Sequence, residues 1–574
     1  MTLTTKAAPT EQRVLELEAQ LAEERAKLAA LTVERDNLRL AYQNLQHELE
    51  LMRRRIFVAK AERLDTAQLE LEFAHKLAAL DALGRIPELP AAQAENVTPD
   101  GDGAGSGPSG RKRRHARTKA GRRNLRLSDL PEERIELTAS SFEGDAEPIG
   151  WEESCRMAWR RGGFVRLVVA RAKYRDPGSA AAESTIVTVP LPPEMVPRSL
   201  ATPSLLAHIV TDKFCDGLPF HRQQDRAART GTPLDRSTMS RWAEEVGATV
   251  GATVIEAMRK EALRTAFCIS TDATGVLVQP IKGGDQPRRS CRRAHFLVQI
   301  ADADHVFFEY MPRETSAAIG ELFRGFSGYV QADAKSVYDL LFKPPDERPP
   351  PEDDGEPDLG ERYEVGCWSH ARRKFWEAAI TTKEPIAREA VLRIKRIFDL
   401  DRSFRNRPPD EIKSLREEHL RPHTDAFFDW VAEHYAEVKD RRGLLRTALG
   451  YAHRQRGPLT RFFDDGRLRL TNNHSERELR RIATGRQAWL FVGSDDHGQA
   501  AGNLLSLVAS ARLHRLDPEA YLRDLFRVLP HWPRERYLEL APRYWATTRV
   551  RLDAAELERE LGPLTIPDPP PSSE

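Results

Sequence analysis

Cysteine is scarce in this chain: five among 574 residues, at Cys155, Cys215, Cys268, Cys291 and Cys367, with no CxxC pair. That scatter excludes a disulfide scaffold and a complete four-cysteine zinc site, and makes a reducing compartment the default. Long apolar runs are missing too. Nowhere do about eighteen uncharged apolar residues follow one another, so no membrane span is expected. The first stretch, MTLTTKAAPTEQRVLELEAQ, lacks the basic start and apolar middle of a secretory signal, and a cytoplasmic protein is expected. No GxxxxGK[ST] loop occurs, so ATP use is not expected. Net charge is also lacking: 88 Lys and Arg against 87 Asp and Glu leave +1. A polyanionic partner therefore has to be sought in where the charges sit.

What is present is segregated. At about 150 residues per domain the length suggests roughly three or four units. From Val14 apolar residues step by threes and fours through Leu17, Leu21, Leu28, Leu31, Leu38, Tyr42, Leu45, Leu49, Met52 and Ile56, interrupted by Glu24 and Arg35, with no Pro or Gly inside. About six such heptads predict a coiled coil, either a seam between chains or a hairpin within one. Residues 83–124 turn to Pro, Gly, Ser and Ala and read as a linker. The linker ends in RKRRHARTKAGRR (111–123), eight Arg or Lys and no acid, a density suited to phosphates, with Arg111, Lys112, Arg113 and Arg114 as candidate DNA ligands. Residues 125–197 hold short alternating runs bounded by Pro and predict a small β-rich module. Residues 198–262 hold two helical patterns broken by TGTPL, with Asp235 or Ser237 placed to cap the second. A helix-turn-helix and an ordinary helical hairpin both fit that pattern.

From Ala266 the period switches. AFCIST, AHFLVQIAD and HVFFEYM alternate as strands; SAAIGELFRGF is helical; GYVQAD is a strand ending at Asp333; SVYDLLF is helical; and RYEVGC is a strand leading into the helix HARRKFWEAA. Three strands, then helix, strand, helix, strand, helix is the order of the RNase H-like fold. Asp272 is expected just past the first strand and Asp333 at the end of the fourth, neighbours in that fold. Magnesium takes oxygen ligands, and two ions about 4 Å apart can serve both oxygens of a phosphoryl displacement. A third acid is sought in TNNHSERELRR, an asparagine-capped helix start carrying Glu476 among Arg469, Arg477, Arg480, Arg481 and Arg486. The plain alternative for Glu476 is a solvated helix with an i, i+4 pair to Arg480.

CWSHARRKFWEA (367–378), NNHSERELRRIATGRQAWLFVGSDDHG (472–498) and LPFHRQQDRAARTGTPLDRSTMSRW (218–242) resemble transposases of the insertion-sequence-66 family, and RRRIFVAKAERLD resembles the arginine-rich segment after that family's first helix. The resemblance runs from about residue 11 to 530. It implies a DDE-type DNA transposase with an RNase H-like catalytic domain, with the triad and metal ligands falling on Asp272, Asp333 and Glu476. Two departures stand out: the family's usual Asp-Glu-Thr is Asp272, Ala273, Thr274 here, and its cysteine-rich zinc module is reduced to Cys155.

The expected organisation is multidomain α+β. Residues 11–82 form the coiled coil, 83–124 the disordered basic linker, 125–197 the degenerate β module, and 198–262 the helical pair. Residues 263–379 and 459–530 form the catalytic core, split by an all-helical insertion at 380–458, and 531–574 are a tail. The acidic proline-rich PPDERPPPEDDGEPDLGERYE, nine acids against two arginines, reads as a disordered loop. Arg372, Arg373, Lys374, Arg477, Arg480, Arg481 and Arg486 join the candidate DNA ligands. Cofactors are two magnesium ions, with manganese as the alternative; zinc is not expected, since Cys367 and His370 are only half a ligand set. Trp489 and Phe491 read as core aromatics, with stacking on an unpaired base the other option. Partners are duplex DNA at element ends and target, a second copy through the coiled coil, and companion proteins of the element. The competing function is a non-catalytic DNA-binding or assembly protein derived from a transposase.

Overall fold

Two stretches of alternating apolar residues build two sheets, and helical stretches between and after them cover both. The computed structural model describes residues 130–138, 149–160, 162–175, 186–280, 290–349, 357–382 and 384–569. The chain divides into residues 1–121 and 122–574. The coiled coil and the whole basic linker, with Arg111, Lys112, Arg113 and Arg114, lie outside the described residues. What is described is mixed α/β, with sixteen helices and two mixed sheets, and no helix in it is long and apolar enough to cross a membrane.

The first sheet holds β1 (Glu132–Leu137), β2 (Gly150–Arg160), β3 (Gly163–Arg175) and β4 (Ile186–Thr188), with β3 central to the other three. Its buried face carries Leu137, Ala158, Leu167 and Val169 against Leu561. Then come α1 (Pro203–Phe214), α2 (Phe220–Arg229), α3 (Arg236–Val250) and α4 (Glu256–Thr265), the last two joined through a π-helical turn at Gly251–Ile255.

The second sheet positions the site. It comprises β5 (Cys268–Val278), β6 (Arg292–Ala301), β7 (His305–Met311), β8 (Gly328–Gln331) and β9 (Arg362–Val365) in the order β7-β6-β5-β8-β9. β5, β6 and β7 run antiparallel to one another, while β8 and β9 lie parallel to β5. Between β7 and β8 lies α5 (Ser316–Leu322). SVYDLLF, expected to be helical, forms a 3-10 helix at Ser336–Phe342. Only the middle of the acidic loop, 350–356, lies outside the described residues. Its flanks are built around Asp358, which accepts from Arg362 at 2.6 and 2.7 Å and from Arg348 at 3.3 Å. The Arg362 guanidinium is buried and donates as well to Phe323 O and Phe326 O, so its charge is offset where a bare burial would be costly.

After β9 the helices α6 (Trp368–Thr381), α7 (Pro385–Ser403), α8 (Pro409–Leu415), α9 (Arg421–Val438), α10 (Leu444–Arg454) and α11 (Arg456–Thr460) gather a separate core around Trp368, Phe375, Phe427, Val431 and Leu449. Then follow α12 (Asn473–Trp489) and α13 (Asp495–Leu513), and beyond them α14 (Pro518–Val528), α15 (Pro542–Arg549) and α16 (Ala554–Glu558). The segment read from sequence as a tail is therefore folded as far as residue 569. Trp532, Leu540, Trp545, Leu552 and Leu557 are buried in the main core, and burying that much apolar surface outweighs the proline-rich end.

Candidate active site

The register of the second sheet brings two acids side by side. β5 and β8 are parallel only across Cys268–Ser270 and Tyr329–Gln331, with Ser270 opposite Gln331. Asp272 and Asp333 each follow their paired residue by two, so they stand at the same level of adjacent chain segments. Asp272 is not past its strand, as expected from sequence, but inside β5, opposite Val298, because pairing with β6 continues to Val278 after pairing with β8 has stopped. The Asp272 Oδ1 accepts from the Ala273 amide at 2.8 Å.

The third acid is delivered by a segment stitched between sheet and helices. Gln331 Nε2 donates to Arg469 O at 2.6 Å, the Trp368 amide to Leu470 O at 2.9 Å, and Asn472 Nδ2 to Thr271 O at 2.6 Å. The Asn472 amide also points at Cys367 Sγ, 3.3 Å away. Asn472 stands at the N-cap of α12 as expected, yet its side chain makes no capping bond, because it is spent on β5. Glu476 follows in the first turn of α12, where Leu479 and Ile482 anchor the helix on Phe296 and Val298 of the sheet.

Glu476 does not take the pairing with Arg480 that an isolated helix would offer. Its partners are Arg373 Nη2 at 3.5 Å and His370 Nε2 at 3.6 Å, both on α6. Two residues missed by sequence reading complete the cluster: Lys335 Nζ lies 3.5 Å from Asp333 Oδ2 and 3.8 Å from Glu314 Oε1, and Glu314 also faces His295 at 3.7 Å. Lys335, two residues past Asp333, was the available sequence signal; nothing local marked Glu314.

The electrostatics tie these groups together. Burial above all, reinforced by Asp333 and Glu476, pushes the Asp272 carboxyl up to about 6, against the pull of the Ala273 amide and Lys335. Burial lowers His370, although Asp333 and Glu476 draw it the other way. Burial opposes the charge on Lys335, but Asp333, Glu314 and Asp272 together raise it. Asp333 Oδ1, Glu314 Oε1 and His370 Nδ1 are buried without a hydrogen-bond partner.

Among the described residues no three His, Cys, Asp or Glu side chains stand together as a finished metal-ligand set. The donors nonetheless fit a hard divalent cation: three carboxylates, one with an orphaned buried oxygen and one whose charge is costly while no cation offsets it. Cys367, by contrast, is buried and receives the Asn472 amide.

The basic candidates divide. Arg372, Arg477 and Arg480 are exposed and make no ion pair among the described residues. Arg373 serves Glu476. Lys374 lies over the Tyr451 ring at 4.9 Å, Arg481 pairs with Glu478 at 2.8 Å, and Arg486 donates to Gly275 O at 2.8 Å. Trp489 packs against the core that Leu479 and Val492 share, while Phe491 is exposed.

Comparison with known proteins places the chain in a family. Three curated Sinorhizobium fredii (strain NBRC 101917 / NGR234) proteins are similar. Uncharacterized protein y4hP is 28% identical over 63% of this chain and 65% of its own length. Uncharacterized protein y4qI is 25% identical over 69% and 71%, and uncharacterized protein y4jD 26% over 60% and 66%. The chain thus spans about two thirds of each relative. Residues 44–135 match the model described as Transposase C of IS166 homeodomain, and residues 506–543 match the IS66 C-terminal element. The model described as Transposase IS66 family matches residues 198–500, more than half of the sequence, and the chain belongs to that family.

Proposed function

We propose that this protein is a DNA transposase that binds the ends of its mobile element and carries out metal-dependent strand cleavage and strand transfer in an RNase H-like catalytic domain. The observation that carries the reading is the mutual electrostatic influence of Asp272 on β5, Asp333 just after β8 and Glu476 in the first turn of α12, with Lys335 beside Asp333 and His370 and Arg373 beside Glu476. The β7-β6-β5-β8-β9 order supports the RNase H-like assignment.

Asp272, Asp333 and Glu476 would hold magnesium, or manganese in its place. When bound, such ions activate an attacking oxygen and stabilise the leaving one in displacement at phosphorus. The chain's own residues orient and balance charge: Arg373 and His370 steady Glu476, Lys335 offsets Asp333, and Arg372, Arg477 and Arg480 offer guanidinium groups to phosphates. No side chain acts as nucleophile.

The test uses purified full-length chain, magnesium and a supercoiled plasmid carrying its coding region with flanking DNA. Wild type should nick and join strands at the element ends. Asp333→Asn should lose this about a hundredfold or more, the scale of losing a few kcal/mol of charge stabilisation. Full strand transfer by the variant would overturn the assignment.

A further inference from the structure

The helix pair ahead of the catalytic sheet is unused by this mechanism, and its inner and outer faces are sharply different. Inside, α2 buries Gln223 and Ala227, and α3 buries Met239, Trp242, Ala243 and Val246. Gln223 Nε2 donates to Ile209 O at 3.2 Å and Leu218 O at 3.0 Å. Farther along α3, Gly247 lies so close to α13 that a Cβ there would meet Ala500 O at 2.5 Å, and Asn503 Nδ2 donates to Gly247 O at 3.0 Å. The pair is therefore a rigid part of the fold.

The turn between the helices is equally fixed. Gly231 takes φ of +76°, Thr232 N returns to Ala227 O at 3.0 Å, and Asp235 Oδ1 caps α3 by accepting from Ser237 N at 2.8 Å. Gln224 on α2 accepts from the Arg236 amide at 2.9 Å, which locks the start of α3 to α2.

Outside, α2 presents Arg222 and Arg229, seven residues apart on one face, and the first turns of α3 present Arg236, Ser240 and Arg241. None of these four arginines makes an ion pair among the described residues. Of the acids nearby, Asp235 is the cap and Glu244 faces His497 at 3.3 Å, while exposed Asp225 and partly buried Glu245 are the remaining opposing charges. Four unpaired guanidiniums on a rigid two-helix surface complement a polyanion of regular charge spacing, and the first turns of a second helix are where such pairs reach base edges.

We propose that α2 and α3 form a duplex-DNA reading head, with Arg236, Ser240 and Arg241 at base edges in the major groove and Arg222 and Arg229 on the flanking phosphates. This rests on the transposase reading and adds where sequence is read.

The experiment is selection of full-length protein against random duplexes of about 30 base pairs, roughly three helical turns, followed by salt titration on the selected duplex and on an unselected one. Wild type should enrich a sequence. The double variant Arg236→Ala/Arg241→Ala should lose that enrichment while still binding unselected duplex. Arg222→Ala/Arg229→Ala should weaken both duplexes alike and reduce the slope of log K against log salt by about 0.9 per lost phosphate contact. A photo-crosslinker in place of Ser240 should label the selected duplex. If wild type selects a sequence and both double variants match it in enrichment and slope, this surface is overturned while DNA binding stands. If wild type binds no duplex at any salt, the surface falls together with the transposase reading.

Discussion

Asp272 carries the clearest residue-scale consequence. In the metal-free chain burial first, then Asp333 and Glu476, raise its carboxyl from the ordinary 3.8 to about 6. Between roughly pH 4 and 6 the folded chain holds a proton that the unfolded chain has lost. Stability therefore falls as pH rises through that window, and above it ionised Asp272 costs on the order of 2 to 3 kcal/mol. Asp272→Asn removes the ionisable group while keeping the shape. In chelator at pH 7.5 the variant should melt about a few degrees above wild type, with the gap closing towards pH 4. Magnesium should raise the melting temperature of wild type, because it binds the folded state, and leave the variant nearly unmoved. Equal melting of the two proteins in chelator across pH 4 to 7.5 would mean that Asp272 is not held as described.

At the scale of elements, the edge of the second sheet is closed by a helix. β7 is a terminal strand, and an open edge invites pairing with other chains. Ser506 and Ser510 on α13 fill it: Ser506 Oγ accepts from Phe308 N at 2.7 Å and Ser510 Oγ from Val306 N at 3.0 Å. Gly502, one turn earlier, permits the approach, since a Cβ there would stand 2.4 Å from Phe308 O. Ser506→Ala should leave a buried amide unpaired and cost about 1 to 3 kcal/mol. Gly502→Ala, which drives a methyl into backbone, should cost at least as much. Denaturant titration of both variants measures this, and a Gly502→Ala protein as stable as wild type would show that the helix can move off the sheet freely. Much at this scale was legible in the sequence, because the change from helical to alternating period around Ala266 is local, and the strand expected to end at Asp333 is there, although it stops at Gln331, two residues short. What escaped depends on distant partners. Asn472 looks like a cap until Thr271, 201 residues away, takes its side chain. Glu314 carries no local mark, and nothing in residues 531–569 announces that Trp545 will be buried.

Among the described residues, two of the buried cores flank the site. The helical core around Phe427 is built from the residues between Asp333 and Glu476, and the sheet is packed by a different set. They meet at α6, which buries Trp368 and Phe375 in the helical core while presenting His370 and Arg373 to Glu476 on the sheet side. Phe427 lies at the centre of the former, its ring 5.4 Å from Trp368 and 6.2 Å from Phe375. Phe427→Ala should cost about 3 to 5 kcal/mol by cavity formation. That loss belongs to the helical unit, so amide exchange should quicken in residues 385–454 while β5, β6 and β7 keep their protection. Strand cleavage should fall as well, although Phe427 touches none of the three acids, because α6 would no longer hold His370 and Arg373 in register with Glu476. Hydrogen exchange and the plasmid assay on one preparation separate the cases. Quickened exchange with undiminished cleavage would mean that the helical insertion does not support the site, and that Glu476 is positioned by the Asn472–Thr271 link alone.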